Sequence, residues 1–374
     1  MGKVYFLVQH LGQPRCVKRI IAIKKAGFKV EVYGFDRGYY SENINMLVEN
    51  GILVKKVIPS NGLSKISKLL SYGKLVRYVA NERTPNDIIY AFGFEMATFT
   101  RLLTCSKYVY ECADVVAARE HSNLIKWLDE KNIHKSSFTV FTSEGFADFF
   151  WGERRKNPDI RRKYILHPNR LSTYFLSQTR PAAQYISSNK IRFGFAGLLR
   201  FLKIYSTFCE VIGKEYPYYE FHFWGDADEG DKKMVNDLVE NYPNVFYHGK
   251  YTNPQDLDRV YNSFDVSVAV YNTSSGNVRI AEPNKLYESI YFGKPIIVSK
   301  NTFIGKKVEQ LGVGQAIEST YDGIKDFLNN LSVEKLNAMI SKECSIKTVE
   351  LLDDSDSLCK KLAEVFIHDS KGKN

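Results

Sequence analysis

Short apolar runs and amphipathic segments alternate along this chain in two successive series, and that alternation limits the fold more than any other feature. Residues 4–8 (Val-Tyr-Phe-Leu-Val) read as a buried strand. Residues 15–26 read as a helix, with Cys16, Ile20 and Ile23 apolar among Lys18, Arg19, Lys24 and Lys25. Gly27 stops it, and residues 30–33 form the next strand. A strand–helix–strand unit of roughly 30 residues implies a parallel sheet with right-handed crossovers. Apolar runs at 52–58, 88–92, 108–110, 139–142 and 164–166 continue the series, with a helix expected over 62–81.

Residues 176–189 are small, polar and poor in strand formers, and read as a linker. A second series follows. Strands are expected at 191–196, 219–224, 245–247, 266–270 and 295–298. Helices are expected at 205–215, 231–241, 254–262, 284–292 and 322–331. The spacing predicts an α/β protein of two Rossmann-like domains, 1–180 and 190–354, facing a central cleft. A last helix, about 355–374, is expected to pack back onto the first domain.

Composition narrows the function. The chain has 374 residues and a formal charge of +10. Residues 1–180 hold 29 Lys and Arg against 16 Asp and Glu, a balance of +13; residues 181–374 hold 23 against 26, a balance of −3. A basic first half suits an anionic partner. Basic residues interleave with aromatics at 149–163, which suits either contact with an anionic membrane surface or a solvated helix end. No RNA- or DNA-reading motif accompanies them, so nucleic acid is not the expected partner. No run approaches the ~18–20 apolar residues of a spanning helix. Six cysteines, at 16, 105, 112, 209, 344 and 359, show neither Cys-x-x-Cys pairs nor zinc-ligand spacing. They read as reduced thiols of a cytoplasmic protein.

Chemistry concentrates in two stretches. In 283–299, Pro283 and Asn284 open a helix, Gly293 ends it, and Pro295 forbids its continuation into the strand Pro-Ile-Ile-Val. That fixes Glu288 one turn beyond Asn284. In 194–203, Gly194 and Gly197 follow a strand and precede a helix, so backbone approaches a phosphate closely there, with Arg200 and Lys203 adding cations. The chain contains no Gly-x-Gly-x-x-Gly and no Gly-Lys-Ser/Thr loop, which argues against nicotinamide and P-loop chemistry.

The second half resembles glycosyltransferase family 4, retaining sugar-nucleotide transferases of the GT-B fold, many of them in bacterial surface-polysaccharide synthesis. The resemblance is carried by Gly197 to Arg200 with Lys203, Phe223-Trp224-Gly225, Tyr247-His248-Gly249, Phe264-Asp265-Val266, and above all Pro283-Asn284-Lys285-Leu286-Tyr287-Glu288 with Gly293-Lys294-Pro295. It covers 190–310 well and the first half loosely.

The resemblance implies a metal-independent hexosyltransferase without a resident cofactor. Its donor is a nucleoside-diphosphate sugar, bound by the second domain. Its acceptor is a glycan, expected to be lipid-linked as in capsule, exopolysaccharide or lipopolysaccharide assembly, bound by the first. It implies that Glu288 accepts hydrogen bonds from the ribose, and that Arg200 and Lys203 neutralise the diphosphate. Lys285, Asn284 and Gly197 join this donor set. Ser275, Gly276 and Asn277 supply N–H groups, and Gly249 and Lys250 flank the base. On the acceptor side it points to His10, Gly12, Glu95 and Glu111, with Asp114 facing the reaction centre. The family often has a Glu eight positions before the helix Glu; Ile280 stands there, leaving Arg279, Glu282 and Lys285 as candidates for the donor sugar. Two other classes remain open: a sugar-nucleotide epimerase on the same fold, and a non-enzymatic nucleic-acid binder.

Overall fold

The computed structural model describes residues 2–38, 42–104, 106–199 and 202–371. The chain folds into two units, Met1–Pro168 with Asp354–Asn374, and Asn169–Asp353.

The first unit is built on seven strands: β1 (Lys3–Val8), β2 (Lys29–Asp36), β3 (Leu53–Pro59), β4 (Ile88–Phe92), β5 (Tyr108–Cys112), β6 (Phe138–Phe141) and β7 (Tyr164–Leu166). Their order is β3-β2-β1-β4-β5-β6-β7, and every neighbouring pair is parallel. A parallel sheet is covered on both faces, so its strands are continuous apolar runs rather than alternating ones. Accordingly all five residues of β4 and of β5 are buried. The sheet is completed from far along the chain. Helix Asp356–Lys371 buries Leu358 and Leu362 in this core, and Phe366 meets Phe28 at 5.9 Å between ring centroids.

The second unit has six strands: β8 (Arg192–Ala196), β9 (Glu220–Trp224), β10 (Val245–Tyr247), β11 (Val266–Ala269), β12 (Ile296–Ser299) and β13 (Gly314–Ile317). They run parallel in the order β10-β9-β8-β11-β12-β13. Phe193, Phe195, Phe221 and Phe223 enter one core cluster, while Trp224, Ala269, Ile296 and Val298 enter another. Both sheets reverse strand order once, between β1 and β4 and between β8 and β11. In open α/β sheets ligands bind beyond the carboxyl ends of strands at such points.

The stretch read as a linker is part of the second unit. Arg180 donates to the carbonyls of Tyr291 (3.0 Å), Ile346 (2.6 Å), Glu343 (2.9 Å) and Ile290. The Ile186 N–H donates to Asn337 Oδ1 at 2.8 Å. Small polar residues lack a periodic signal, yet here their backbone and one arginine are fastened to distant helices. The unit closes on itself where the chain enters and leaves: Leu171 N–H donates to Leu351 O at 3.0 Å, and Asp353 N–H to Leu171 O at 2.8 Å.

One buried group gives the first unit a pH dependence. Burial, then the neighbouring Arg19 guanidinium, push the His167 imidazole down to about 2. In the unfolded chain a histidine takes up a proton near pH 6.5. The unfolded state therefore gains a proton below that pH that the folded unit refuses, and stability falls by about 1.4 kcal/mol per pH unit for this group. Asp129 of the same unit, pushed up to about 7 by burial, takes up a proton on folding over the same range and works in the opposite sense. The readout for His167 is therefore the difference: His167→Asn is expected to gain in melting temperature relative to the parent between pH 7 and pH 5. An unchanged difference over that range would remove His167 as a source of the pH dependence.

Candidate functional site

The carboxyl ends of β8, β9 and β10 are held together by glycine backbone. Gly197, just after β8, has φ +145°, and its N–H donates to Trp224 O at 2.9 Å. Gly225 has φ +142°, and a Cβ on it would lie 1.7 Å from Gly197 O, so only glycine fits. The Gly225 N–H in turn donates to Gly249 O at 2.8 Å. Three strand ends thus carry no side chain, with Gly225 buried and Gly197 and Gly249 half-buried. Gly194, by contrast, serves packing: a Cβ there would strike the Phe264 ring at 2.0 Å. The expected phosphate role of Gly194 is therefore replaced by contact with Phe264.

Into this edge projects Lys285, the first residue of helix Lys285–Phe292. Every residue of that helix is buried, and Gly293 closes it in the left-handed conformation at φ +64°. Lys285 is only 8% exposed. Among the described residues its ammonium has no hydrogen bond or ion pair; it meets ring faces instead, 4.4 Å from the Phe195 centroid and 5.9 Å from that of Tyr271. A Cβ on Gly197 would stand 2.8 Å from Lys285 Nζ, so the missing side chain is what opens space beside the charge. Buried charges are paired as a rule, because desolvation is costly. A cation with no anion beside it among the described residues, next to glycine backbone at a strand-order reversal, leaves both charge and space on this edge.

One turn further along, Glu288 is 3% exposed. Its carboxylate accepts from Asn284 Nδ2 at 2.6 Å, Tyr261 OH at 2.8 Å and Asn253 Nδ2 at 3.4 Å. All three donors are neutral. Asn284 occupies the cap position but makes no side-chain capping bond; its amide is turned to Glu288 instead. The carboxylate is thereby held on the helix that also carries Lys285.

Other donor-side candidates fall differently. Glu282 is 7% exposed, and it pairs with Lys307 at 2.7 Å and accepts from Tyr287 OH. Its oxygens are engaged by helix Phe303–Leu311 and by Tyr287, which argues against the catalytic role expected of it. Lys250 is exposed and pairs with Asp226 at 2.9 Å, beside Gly249. Gly276 and Asn277 begin the short helix Gly276–Ile280 in the loop after β11, with Ser275 before it; no Ser275 side-chain cap forms. Lys203 is exposed in the first turn of helix Leu202–Glu215. Arg200 lies outside the described residues.

In the first unit the strand-end candidates separate into two kinds. Glu111, at 0% exposure, is an interior ion pair: Arg19 Nε lies 3.1 Å away, Arg15 Nε 4.0 Å, and Tyr90 OH donates at 2.6 Å. Burial raises its pKa, but Arg19 and Arg15 outweigh that and hold it below the usual carboxylate range. It is therefore not an acceptor-binding group at a strand end, as expected, but the centre of a buried network. Near the strand-order reversal, Gln9 Nε2 donates to Glu95 Oε2 at 2.6 Å, and Gly12 O accepts from Asn43 at 2.8 Å. His10 is buried and Asp114 exposed.

Several residues escaped sequence reasoning. Tyr261, Asn253 and Arg180 carry no motif; only the fold brings them to the helix of Glu288. The sequence places His248 beside the base with Tyr247, Gly249 and Lys250, but not its partners Glu220 and His222, with which it forms a chain. Glu220 Oε2 accepts from His222 Nε2 at 3.1 Å, which leaves His222 Nδ1 to accept from His248 Nε2 at 2.9 Å. Burial holds both imidazoles below the ordinary histidine range. His248 therefore turns a bare Nδ1, an acceptor, toward its surroundings, with its ring stacked 4.4 Å from Trp224 beside Gly249.

The chain matches no protein-family model. It is 22% identical over 337 residues to the succinoglycan biosynthesis protein ExoL of Rhizobium meliloti (strain 1021), across 85% of this chain and 81% of that one. Among solved structures, HepE of Anabaena, in complex with UDP and glucose, matches with a TM-score of 0.68 at 17% identity, over 98% of this chain and 99% of its own. Sucrose-phosphate synthase of Thermosynechococcus elongatus matches with a TM-score of 0.70 at 11% identity, over 99% and 100%. Two parallel-sheet Rossmann-like units with these neighbours define the fold class as α/β of the GT-B type.

Proposed function

We propose that this chain is a retaining glycosyltransferase of the family 4 type, acting in polysaccharide synthesis. It transfers a sugar from a nucleoside-diphosphate sugar to a glycan acceptor, without a metal. The observation that carries the reading is Lys285, a buried ammonium without an anion beside the bare backbone of Gly197. The likeness to a succinoglycan biosynthesis protein, and to a fold neighbour solved with UDP and glucose, supports the same chemistry.

In this reading the diphosphate lies at Gly197, Lys285 and the N–H groups of 275–277, with Arg200 and Lys203 adding charge. As the bond from the sugar carbon to the phosphate oxygen breaks, negative charge grows on that oxygen, and fixed cations and N–H groups stabilise it. The acceptor hydroxyl bonds to the sugar carbon on the same face. Its proton passes to the departing phosphate, so no strong protein base is needed. Glu288 takes the ribose hydroxyls in exchange for part of its present hydrogen bonding, and His248 Nδ1 accepts from the base. Asp114, Glu95 and His10 are the acceptor-side candidates.

Titration calorimetry with UDP and GDP, in buffer containing EDTA, tests the donor half of this reading. Binding of one of them is expected, weakened about tenfold or more in Glu288→Ala, since a charged hydrogen bond is worth about 1.5–3 kcal/mol. Binding that requires added divalent metal would overturn the metal-independent reading. Unchanged affinity in the variant would overturn the ribose contact. Conversion of the donor to an isomeric sugar without acceptor would replace transfer by epimerisation.

A further inference from the structure

Four of the six cations in 149–163, the stretch expected to touch lipid, are engaged within their own unit. Arg155 pairs with Glu144 at 2.7 Å and with Asp148, Lys156 pairs with Glu153, and Arg162 lies 3.4 Å from Asp159. Arg161 sits over the Tyr164 ring at 4.9 Å, and Trp151 stacks on that same ring. Phe150 is buried. These cations and rings are already engaged by their own unit.

A different surface has what that stretch lacks. Between Glu49 and Glu82 the sequence contains no acid and six cations: Lys55, Lys56, Lys65, Lys68, Lys74 and Arg77. The structure assembles them on β3 and helix Lys65–Glu82. β3 is an edge strand, paired only with β2, and Leu53 and Val57 are exposed on it. The helix packs through Tyr72, Leu75, Val76 and Val79, all in its second half and middle. Its first two turns are left bare. Ile66 is 71% exposed, Leu70 63% and Leu69 43%, with Leu63 exposed just before them. Ser64 nonetheless caps the helix, accepting from the Ser67 N–H at 3.1 Å, so the bare turns are ordered. Lys56 Nζ lies 4.7 Å from the Tyr78 centroid, joining strand and helix in one surface. Among the described residues none of the six cations has an ion pair.

We infer that this surface docks on an anionic phospholipid bilayer. Leucine and isoleucine projecting from an ordered helix turn, flanked by lysines that make no ion pair, with Glu120 near enough to Lys65 to feel its charge, match the two attractions that hold a protein on such a membrane. Apolar side chains enter the acyl boundary, and cations meet the headgroup phosphates. Nucleic acid would use the cations and leave Ile66, Leu69 and Leu70 in water. The surface lies in the first unit, apart from Lys285 and Glu288, so the inference stands or falls separately from the donor reading. That reading adds only a reason for it, because a lipid-linked acceptor would be found there.

Co-sedimentation of the full chain with vesicles tests it. At 0.1 M salt, binding is expected to vesicles of phosphatidylglycerol mixed with phosphatidylcholine, and to be at least tenfold weaker on phosphatidylcholine alone. Ile66→Ser with Leu70→Ser is expected to lower binding at least tenfold at unchanged melting temperature, because both side chains are exposed. Lys65→Glu with Lys68→Glu is expected to do the same and to remove the salt dependence. Full binding by the Ser variant, no preference for the anionic lipid, or equal displacement by duplex DNA would each overturn the inference. Nucleotide affinity is expected to stay unchanged in both variants.

Discussion

Replacing Lys285 by methionine is expected to abolish useful nucleoside-diphosphate binding while leaving the fold as stable as before, or firmer. The two effects have one cause. Among the described residues the ammonium has no anion beside it, and a thioether of similar length fills the same place between the Phe195 and Tyr271 rings without a charge. In the proposed function the diphosphate supplies the anion. Losing a charged hydrogen bond worth about 1.5–3 kcal/mol lowers affinity on the order of 10- to 100-fold. Calorimetry with UDP and GDP reads the affinity, and thermal denaturation without ligand reads the stability. A variant that melts much earlier yet binds as tightly would make Lys285 a packing residue between Phe195 and Tyr271.

Changing Glu111 to glutamine is expected to act in the opposite sense, on stability and not on the acceptor. The variant leaves Arg19, which is 1% exposed, without its carboxylate. Removing one partner of a buried pair costs about 3–5 kcal/mol. Arg19→Met is expected to cost as much, and the double variant Arg19→Met with Glu111→Leu to recover a large part, since neither charge is then stranded. Urea denaturation of the four proteins forms the cycle. Single variants of full stability with a raised acceptor KM would restore Glu111 to the acceptor site.

These two residues also show what a sequence reveals. The place of Lys285 at the start of a buried helix was legible because local rules surround it: proline and asparagine before a helix, glycine at its end, proline and a buried strand after. Gly197 was legible because a glycine directly after a strand has few other uses. Glu111 was not, since an acid at a strand end gives the same signal whether it meets water or an arginine 92 positions away. The surroundings of Glu282 were illegible for a similar reason; its partner Lys307 belongs to a helix the alternation did not mark. β13 was missed as well, because Gly-Gln-Ala-Ile has little strand preference and forms only as an edge against β12. The fold rests on patterns repeated many times over, so single errors do not alter it. The site depends on pairs that only the folded chain brings together.

The return of the last helix to the first sheet inverts the order in which the units are completed. Chains generally fold from the amino end as they are synthesised. Here the second unit is one continuous stretch, Asn169–Asp353, fastened at its ends by Leu171 and Leu352. All of its residues are in hand while the first sheet still lacks Leu358 and Leu362. The unit synthesised first must wait, with part of its apolar face uncovered, until the ribosome has finished the one that follows. The last helix is the final piece of the amino-terminal core, and cutting it away would strip the beginning of the protein rather than its end.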